Sequence, residues 1–439
     1  MAVINRKVAS AAGVATVATL LFSGCAAGSS DAGAGDCSEV TEITWLGTIK
    51  VEIQDQFTDA IEFYNENNTD CVAVEILESP QDVPFLQTVT TYYEAGKAPT
   101  IMTALQELPD MAPRVLDWSG DPLAELAADG TLDVATIDGK VVGIPITAEA
   151  FGLLYNKAVL DAAGVDPASI TTRSELADAF DAVAETGVAP VHFSGLWWSL
   201  GAHFTNIYHT NAADTVEGRL AILDELKAGE KDLSSDPVFE NWLETFDLLK
   251  ENSIDSASIA DTDYDLGVEN LAVGDTGFWF MGNWAEPNLL TATPDGEFGV
   301  MPVPISDEAG TYGNDSISVG VPFYAMIDAE QSTPEQQEAA KAVLSWFLTT
   351  PEGQAYWSGP VEEGGMNFIP VYDGFEVTPS TFMAAEIAEY IAAGKTLQWV
   401  NSAYPAGLQE AYGAAAQKYY DGVSDRAAFA AELEAAWVE

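Results

Sequence analysis

The chain reads as an α/β protein, and three features carry that reading. Short β-branched or aromatic runs alternate with segments of helical periodicity along most of its 439 residues. Hydrophobic residues make up 48% and charged residues 19%, which allows a buried core and sets the chain apart from disordered acidic tails. At about 150 residues per domain, the length suits two or three domains.

Residues 1–24 read as an export signal. Arg6 and Lys7 form a positive start, and the apolar run Val8 to Phe22 is too short and too rich in Ala and Gly to span a membrane. The sequence Leu21-Phe22-Ser23-Gly24-Cys25 resembles the lipobox of bacterial lipoproteins, which implies that Cys25 carries lipid and becomes the first residue. The alternative is an ordinary signal peptide with an incidental Cys25. Residues 25–37 then form a tether of Ala, Gly, Ser and Asp, with a reach of about 18 Å.

The first element of the fold is strand-like, Thr41–Leu46. Gln54 to Asn67 follows with Phe57, Ala60, Ile61 and Tyr64 at helical spacing, and Cys71–Leu77 is again strand-like. That order predicts a βαβ unit with parallel strands. If the strands are neighbours, Cys37 and Cys71 share one sheet edge, and a disulfide between them is geometrically reasonable in an oxidising compartment. Two buried free thiols are the other option; a metal is not expected, since no further ligand lies at zinc-like spacing.

Farther along, Pro99–Ala104 and Val141–Ile146 read as strands, and Thr171 or Thr172 caps a helix bearing Leu176, Phe180 and Val183. Gly277–Met281 and Phe298–Val303 read as strands as well. Thr333-Pro334-Glu335-Gln336 is a capping box ahead of a helix with Ala340, Val343, Leu344, Phe347 and Leu348 on one face. No internal repeat is visible, and periodicity alone does not order the strands.

Composition and motifs narrow the function. With 16 Lys+Arg against 69 Asp+Glu, the formal charge is −53, and removing Arg6 and Lys7 with the signal makes it 14 − 69 = −55. A nucleic-acid footprint or a polybasic membrane surface needs the opposite sign. His192, His203 and His209 have no metal spacing, and no G-x-S-x-G elbow occurs. Gly394-Lys395-Thr396 lacks the earlier glycine of a phosphate loop, because position 389 is Glu389. Asp261, Asp263 and Asp265 imitate a calcium loop, but Leu266 and Ala272 stand where Gly and Glu are needed.

Four blocks then agree in order and spacing. Asp138-Gly139-Lys140-Val141-Val142-Gly143-Ile144-Pro145, continuing to Tyr155-Asn156-Lys157, resembles "DGKxYGxP…xxxYNK" of the family 1 extracellular solute-binding proteins, the sugar-binding components of ABC importers. Asn270 to Trp284 resembles "FxxGxAAMxxxGxW", Phe298 to Pro304 resembles "GVxPxP", and Ala342 to Gln354 resembles "AxxFLxFLTSPEGQ". The resemblance implies the two-lobe periplasmic-binding-protein-like fold, with a ligand cleft between lobes joined by crossover segments. It implies crossovers near Pro145–Ala148 and Val300–Val303 and a return near Gln331. Residues 38–147 and 301–330 would form the first lobe, and 148–300 and 331–439 the second.

A sugar presents hydroxyl edges and a C–H face, so its site needs aromatic platforms and planar hydrogen-bonding groups. Trp197 and Trp198 lie in a Gly-containing loop where two buried indoles would be awkward. By resemblance, Trp284 stands at the family's stacking position, and Glu149, Gln106 and Glu107 stand at its hydroxyl-binding positions. Trp399, Asn283, Asn367 and Lys50 complete the candidates. The resemblance thus implies a lipid-anchored, monomeric binder of a di- or oligosaccharide, without cofactor, that delivers its ligand to an ABC permease. The rivals are a secreted glycosidase or lyase using two carboxylates, a same-fold binder of a peptide or polyamine, and a surface receptor that transports nothing.

Overall fold

In the computed structural model the described residues are 37, 39–47, 53–79, 83–128, 130–254, 258–259, 262–375, 381–405 and 407–438. Cys25, Lys50 and Asp261 lie outside them, as do the signal and the tether up to residue 36. The strands are β1 (Thr41–Gly47), β2 (Val72–Glu78), β3 (Ile101–Ala104), β4 (Thr136–Ile137), β5 (Lys140–Val141), β6 (Ile144–Pro145) and β7 (Glu149–Asn156). They continue with β8 (Ala189–His192), β9 (Thr276–Gly282), β10 (Phe298–Met301), β11 (Ile317–Gly320), β12 (Tyr324–Ile327) and β13 (Thr396–Gln398).

Two sheets organise the chain. The first has the order β2-β1-β3-β12-β6, with β1 parallel to β2 and β3, and β12 antiparallel to its neighbours. Alternate side chains of β1 enter different cores, as the period of two requires. Trp45 packs edge-on to Phe57 at 5.1 Å, beneath the helices Gln54–Asn67 and Pro334–Thr349. Leu46 turns instead toward Val89 and Tyr93 of the helix Phe85–Glu94. The helix Gln54–Asn67 buries the four residues that its spacing predicts, Phe57, Ala60, Ile61 and Tyr64. Cys37 and Cys71 are bonded, with Cα atoms 5.6 Å apart, where β1 and β2 begin side by side.

The second sheet runs β13-β11-β7-β9-β8, and β10 also pairs with β7. Its central strand β7 is buried along its whole length. Phe151, Leu153 and Tyr155 face a core built with the helices Arg173–Glu185, Pro237–Asn252 and Leu408–Tyr420. Ala150 and Leu154 face the other way, into a cluster continuous with that around Trp45. Thr172 caps the first of these helices through Glu175 N, and both halves of the Thr333–Gln336 capping box form.

Three segments link the sheets, and they are bonded to one another. β6 leads into β7 through residues 146–148, β11 leads into β12 through residues 321–323, and a third connection lies between Ile369, which pairs with Ala148, and the helix Phe382–Ala392, which packs on β10. Ile146 N donates to Phe323 O at 3.0 Å, and Ala148 N donates to Ile369 O at 2.9 Å. Two expected boundaries are thereby corrected. Val300 does not cross over: β10 pairs antiparallel with β7, from Phe298 opposite Asn156 to Met301 opposite Leu153. β11, within the expected first-lobe segment 301–330, likewise belongs to the second sheet. Nor does the chain return at Gln331. The helix Pro334–Thr349 stays on the first lobe, where Gln336 Nε2 donates to Glu42 O and Lys341 pairs with Asp121 at 2.8 Å.

The expected strand Val141–Ile146 is also split. Asp138 and Gly139, both at positive φ, turn a two-residue hairpin between β4 and β5, whereas β6 pairs with β12. Among the described residues no helix is long and apolar enough to cross a membrane.

Candidate ligand-binding site

The strand ends converge where the chain crosses between sheets. β3 ends at Ala104, opposite Tyr324 of β12, and Tyr324 also faces Pro145 at the end of β6. On the second sheet, β7 starts with Glu149 opposite Gly320, and Phe151 lies opposite Gly282 at the end of β9. The residues after β9 and β13, Asn283 and Trp284 with Trp399, therefore gather at one edge of the second sheet, while Gln106 and Glu107 follow β3 in the first. Open α/β sheets place ligands beyond such strand ends.

Three indoles surround one imidazole there. The ring of His203 lies 4.9 Å from Trp284, 5.5 Å from Trp198 and 6.1 Å from Trp399, and 4.7 Å from Phe151 beneath. Trp198 and Trp284 are 6.2 Å apart. His203 comes from a π-helix, Ser199–Phe204, whose wider turn lets Trp198 and His203 meet on one side. That helix seats closely on the helix Leu408–Tyr420: a Cβ at Gly201 would meet Gln409 O at 1.9 Å. Trp197 points elsewhere. It is 42% exposed and takes no part in the ring contacts joining the other three.

The crossing segments supply polar groups. Thr147, Glu149, Asn283, Trp284 and Asn367 line a small cavity that Ile53, from the first lobe, closes. Ala148 points to the opposite side, into a second cavity of about 180 Å³ between the lobes, which Tyr324, Gln398 and Trp399 also line. Asn283 is partly committed to structure: its Oδ1 accepts from Ala150 N at 2.9 Å and fixes the Trp284 turn against β7. Asn367 sits in the left-handed region at φ 52°, and its Nδ2 donates to Glu286 Oε2 at 3.2 Å. Thr381 Oγ1 donates to the same carboxylate oxygen at 2.8 Å. Burial pushes Glu286 up to about 7, against the pull of those hydrogen bonds.

Sequence reasoning thus selects Trp198, Trp284, Trp399, Glu149, Asn283 and Asn367, which the structure brings to one region. Gln106 and Glu107 stand apart from both cavities, on the first lobe. Gln106 is exposed, and Glu107 opens the short helix Leu108–Met111, with its carboxyl pushed upward by burial and by Asp110. His203, Thr147 and Glu286 are additions. The histidine carries no spacing signal in the sequence, and its place depends on a π-helical register that sequence pattern does not reveal. Among the described residues no group of three His, Cys, Asp or Glu side chains could hold a metal ion. Asp263 of the calcium-like stretch caps the helix Tyr264–Val273 through Leu266 N.

The family signature described as bacterial extracellular solute-binding protein matches residues 47–355, well over half of the chain. The chain belongs to that family. Solved structures resemble this solute-binding protein over nearly its whole length. SBP RafE in complex with raffinose has a TM-score of 0.74 at 17% identity, covering 91% of this chain and 99% of that one. A sugar transporter from Bacillus licheniformis in complex with stachyose gives 0.69 at 17%, covering 90% and 98%. The cyclic alpha-maltosyl-1,6-maltose binding protein from Arthrobacter globiformis gives 0.63 at 21%, covering 91% and 98%. At such identities the likeness concerns the fold. No curated protein matches the sequence.

Proposed function

We propose that this solute-binding protein captures a neutral di- or oligosaccharide between its lobes and delivers it to an ABC permease from a lipid anchor at Cys25. The convergence of Trp198, Trp284 and Trp399 on His203, with Trp284 also lining the Glu149 and Asn367 cavity, carries the proposal. Indole faces match the C–H face of a pyranose, and a carboxylate and an amide match its hydroxyl edge. Relatives of the same fold solved with raffinose and stachyose support this choice of ligand. A ligand that touches both lobes only when they close shifts a hinge equilibrium toward the closed form, and the permease would read that form. Gln106 and Glu107 are the first-lobe groups that closure would bring onto the sugar.

Calorimetric titration of the mature protein with a panel of neutral di- and oligosaccharides tests the reading. Saturation near one site per chain supports it. Heat that continues after each injection would mean turnover and favour a glycosidase, and a flat response to the whole panel would remove the sugar assignment.

A further inference from the structure

Beside the aromatic crescent lies a carboxylate that nothing above puts to use. Glu286 is only 2% exposed, two residues past Trp284, at the start of the helix Glu286–Ala292. It receives Asn367 Nδ2, Thr381 Oγ1 and the backbone N–H of Met383. The donors flank the third connection between the lobes: Asn367 precedes it, and Thr381 and Met383 stand at the start of the helix Phe382–Ala392 that follows it.

We propose that Glu286 is a positioning residue of the ligand site: it holds the Asn367 amide with its donor turned away and its acceptor left for the ligand. The inference rests on the reading of the cleft as a sugar site. An ionised carboxylate only accepts, so the amide can approach it only through Nδ2. Asn367 Oδ1 is buried and has no protein partner, although the residue lines the cavity shared with Glu149 and Trp284. Buried acceptors are seldom left unpaired, and a ligand hydroxyl supplies the missing donor. Glu149 in the same cavity is also an acceptor. The pair selects a ligand that offers O–H groups and disfavours a uronic acid or sugar phosphate, which would bring negative charge against Glu149.

Three variants read by calorimetry at about pH 8, where Glu286 is ionised, test this against the best neutral sugar. Glu286→Gln offers both donor and acceptor, so the lock is lost, and affinity falls about tenfold or more. Asn367→Asp sets two buried carboxylates together and weakens binding similarly. In the double variant the amide at 286 donates to the carboxylate at 367, an acceptor again faces the ligand, and affinity recovers to within about threefold of the parent. A structural role alone gives no such rescue. Unchanged affinity in Glu286→Gln, or loss without rescue in the double variant, overturns the inference while leaving the sugar reading intact. Should the parent bind no sugar, that reading falls and the lock is read directly. The side-chain NH2 pair of Asn367 in a 15N–1H spectrum, assigned by its loss in Asn367→Asp, must shift in Glu286→Gln. An unmoved pair overturns the proposal.

Discussion

Trp284 folds back over the end of its own strand because residue 282 has no side chain: a Cβ there would meet the indole at 2.0 Å. The ring is only partly buried, so it can be removed without opening a core. Trp284→Ala is expected to weaken sugar binding about tenfold or more, with little change in melting temperature; calorimetry and thermal unfolding of the same sample check both. The adjacent tryptophans should separate in the same assay. Trp198→Ala is expected to cost about tenfold in affinity, whereas Trp197→Ala stays within about twofold, since its ring stands outside the cluster. The sequence pattern identifies the loop that holds both indoles but cannot choose between them. Their directions are set by the π-helix and its seat on the helix Leu408–Tyr420, both products of long-range packing.

At the scale of elements, local signals were the readable ones. The apolar stripe of Gln54–Asn67, the Thr172 and Thr333 caps and the parallel βαβ start are all written in short windows. What short windows omit is partnership between distant strands. β10 and β11 both lie along β7, and for that reason the second crossover sits at 321–323 instead of 300–303. The Cys37–Cys71 bond is a long-range pairing of the simplest kind, closing a span of 34 residues. Replacing both cysteines by serine is expected to lower unfolding free energy by about 3–4 kcal/mol, measured by urea titration, with ligand affinity unchanged. The bond lies where β1 and β2 begin, whereas the candidate site gathers where the first-sheet strands end.

For the whole molecule, pH acts through three buried groups of opposite sense. Glu286 binds its proton more tightly in the fold, at about 7 against an ordinary 4.5. Its contribution is therefore full below 4.5 and is lost as pH rises through 7. His192, lowered to about 4 by burial, and His209, lowered to about 3 by burial and by Lys231, behave the other way. Their contribution is present above the ordinary 6.5 and is lost as pH falls toward those values. Two histidines outweigh one carboxylate, so stability is expected to fall as pH drops below about 6.5 and to stay nearly level above it, where the opposing effects cancel. Glu286→Gln should remove the carboxylate's own opposing loss, worth up to about 3 kcal/mol, so its melting temperature gains on the parent between about pH 5 and 8. Equal slopes for variant and parent would show that Glu286 does not carry the loss.

The place of β12 sets a schedule for the newborn chain. It is made of residues 324–327, yet it lies between β3 and β6, which are complete by Pro145. The last residue of β6, Pro145, lies 324 − 145 = 179 residues before the strand that must be inserted beside it. An emerging N-terminal segment therefore has an open gap in its sheet until the second lobe and the strand beyond it have left the ribosome. Closure over such sequence distances is slow. If residues 1–24 direct export, as their sequence implies, slowness of this kind would be useful, because a nascent protein that stays unfolded can be threaded across a membrane and mature on the far side.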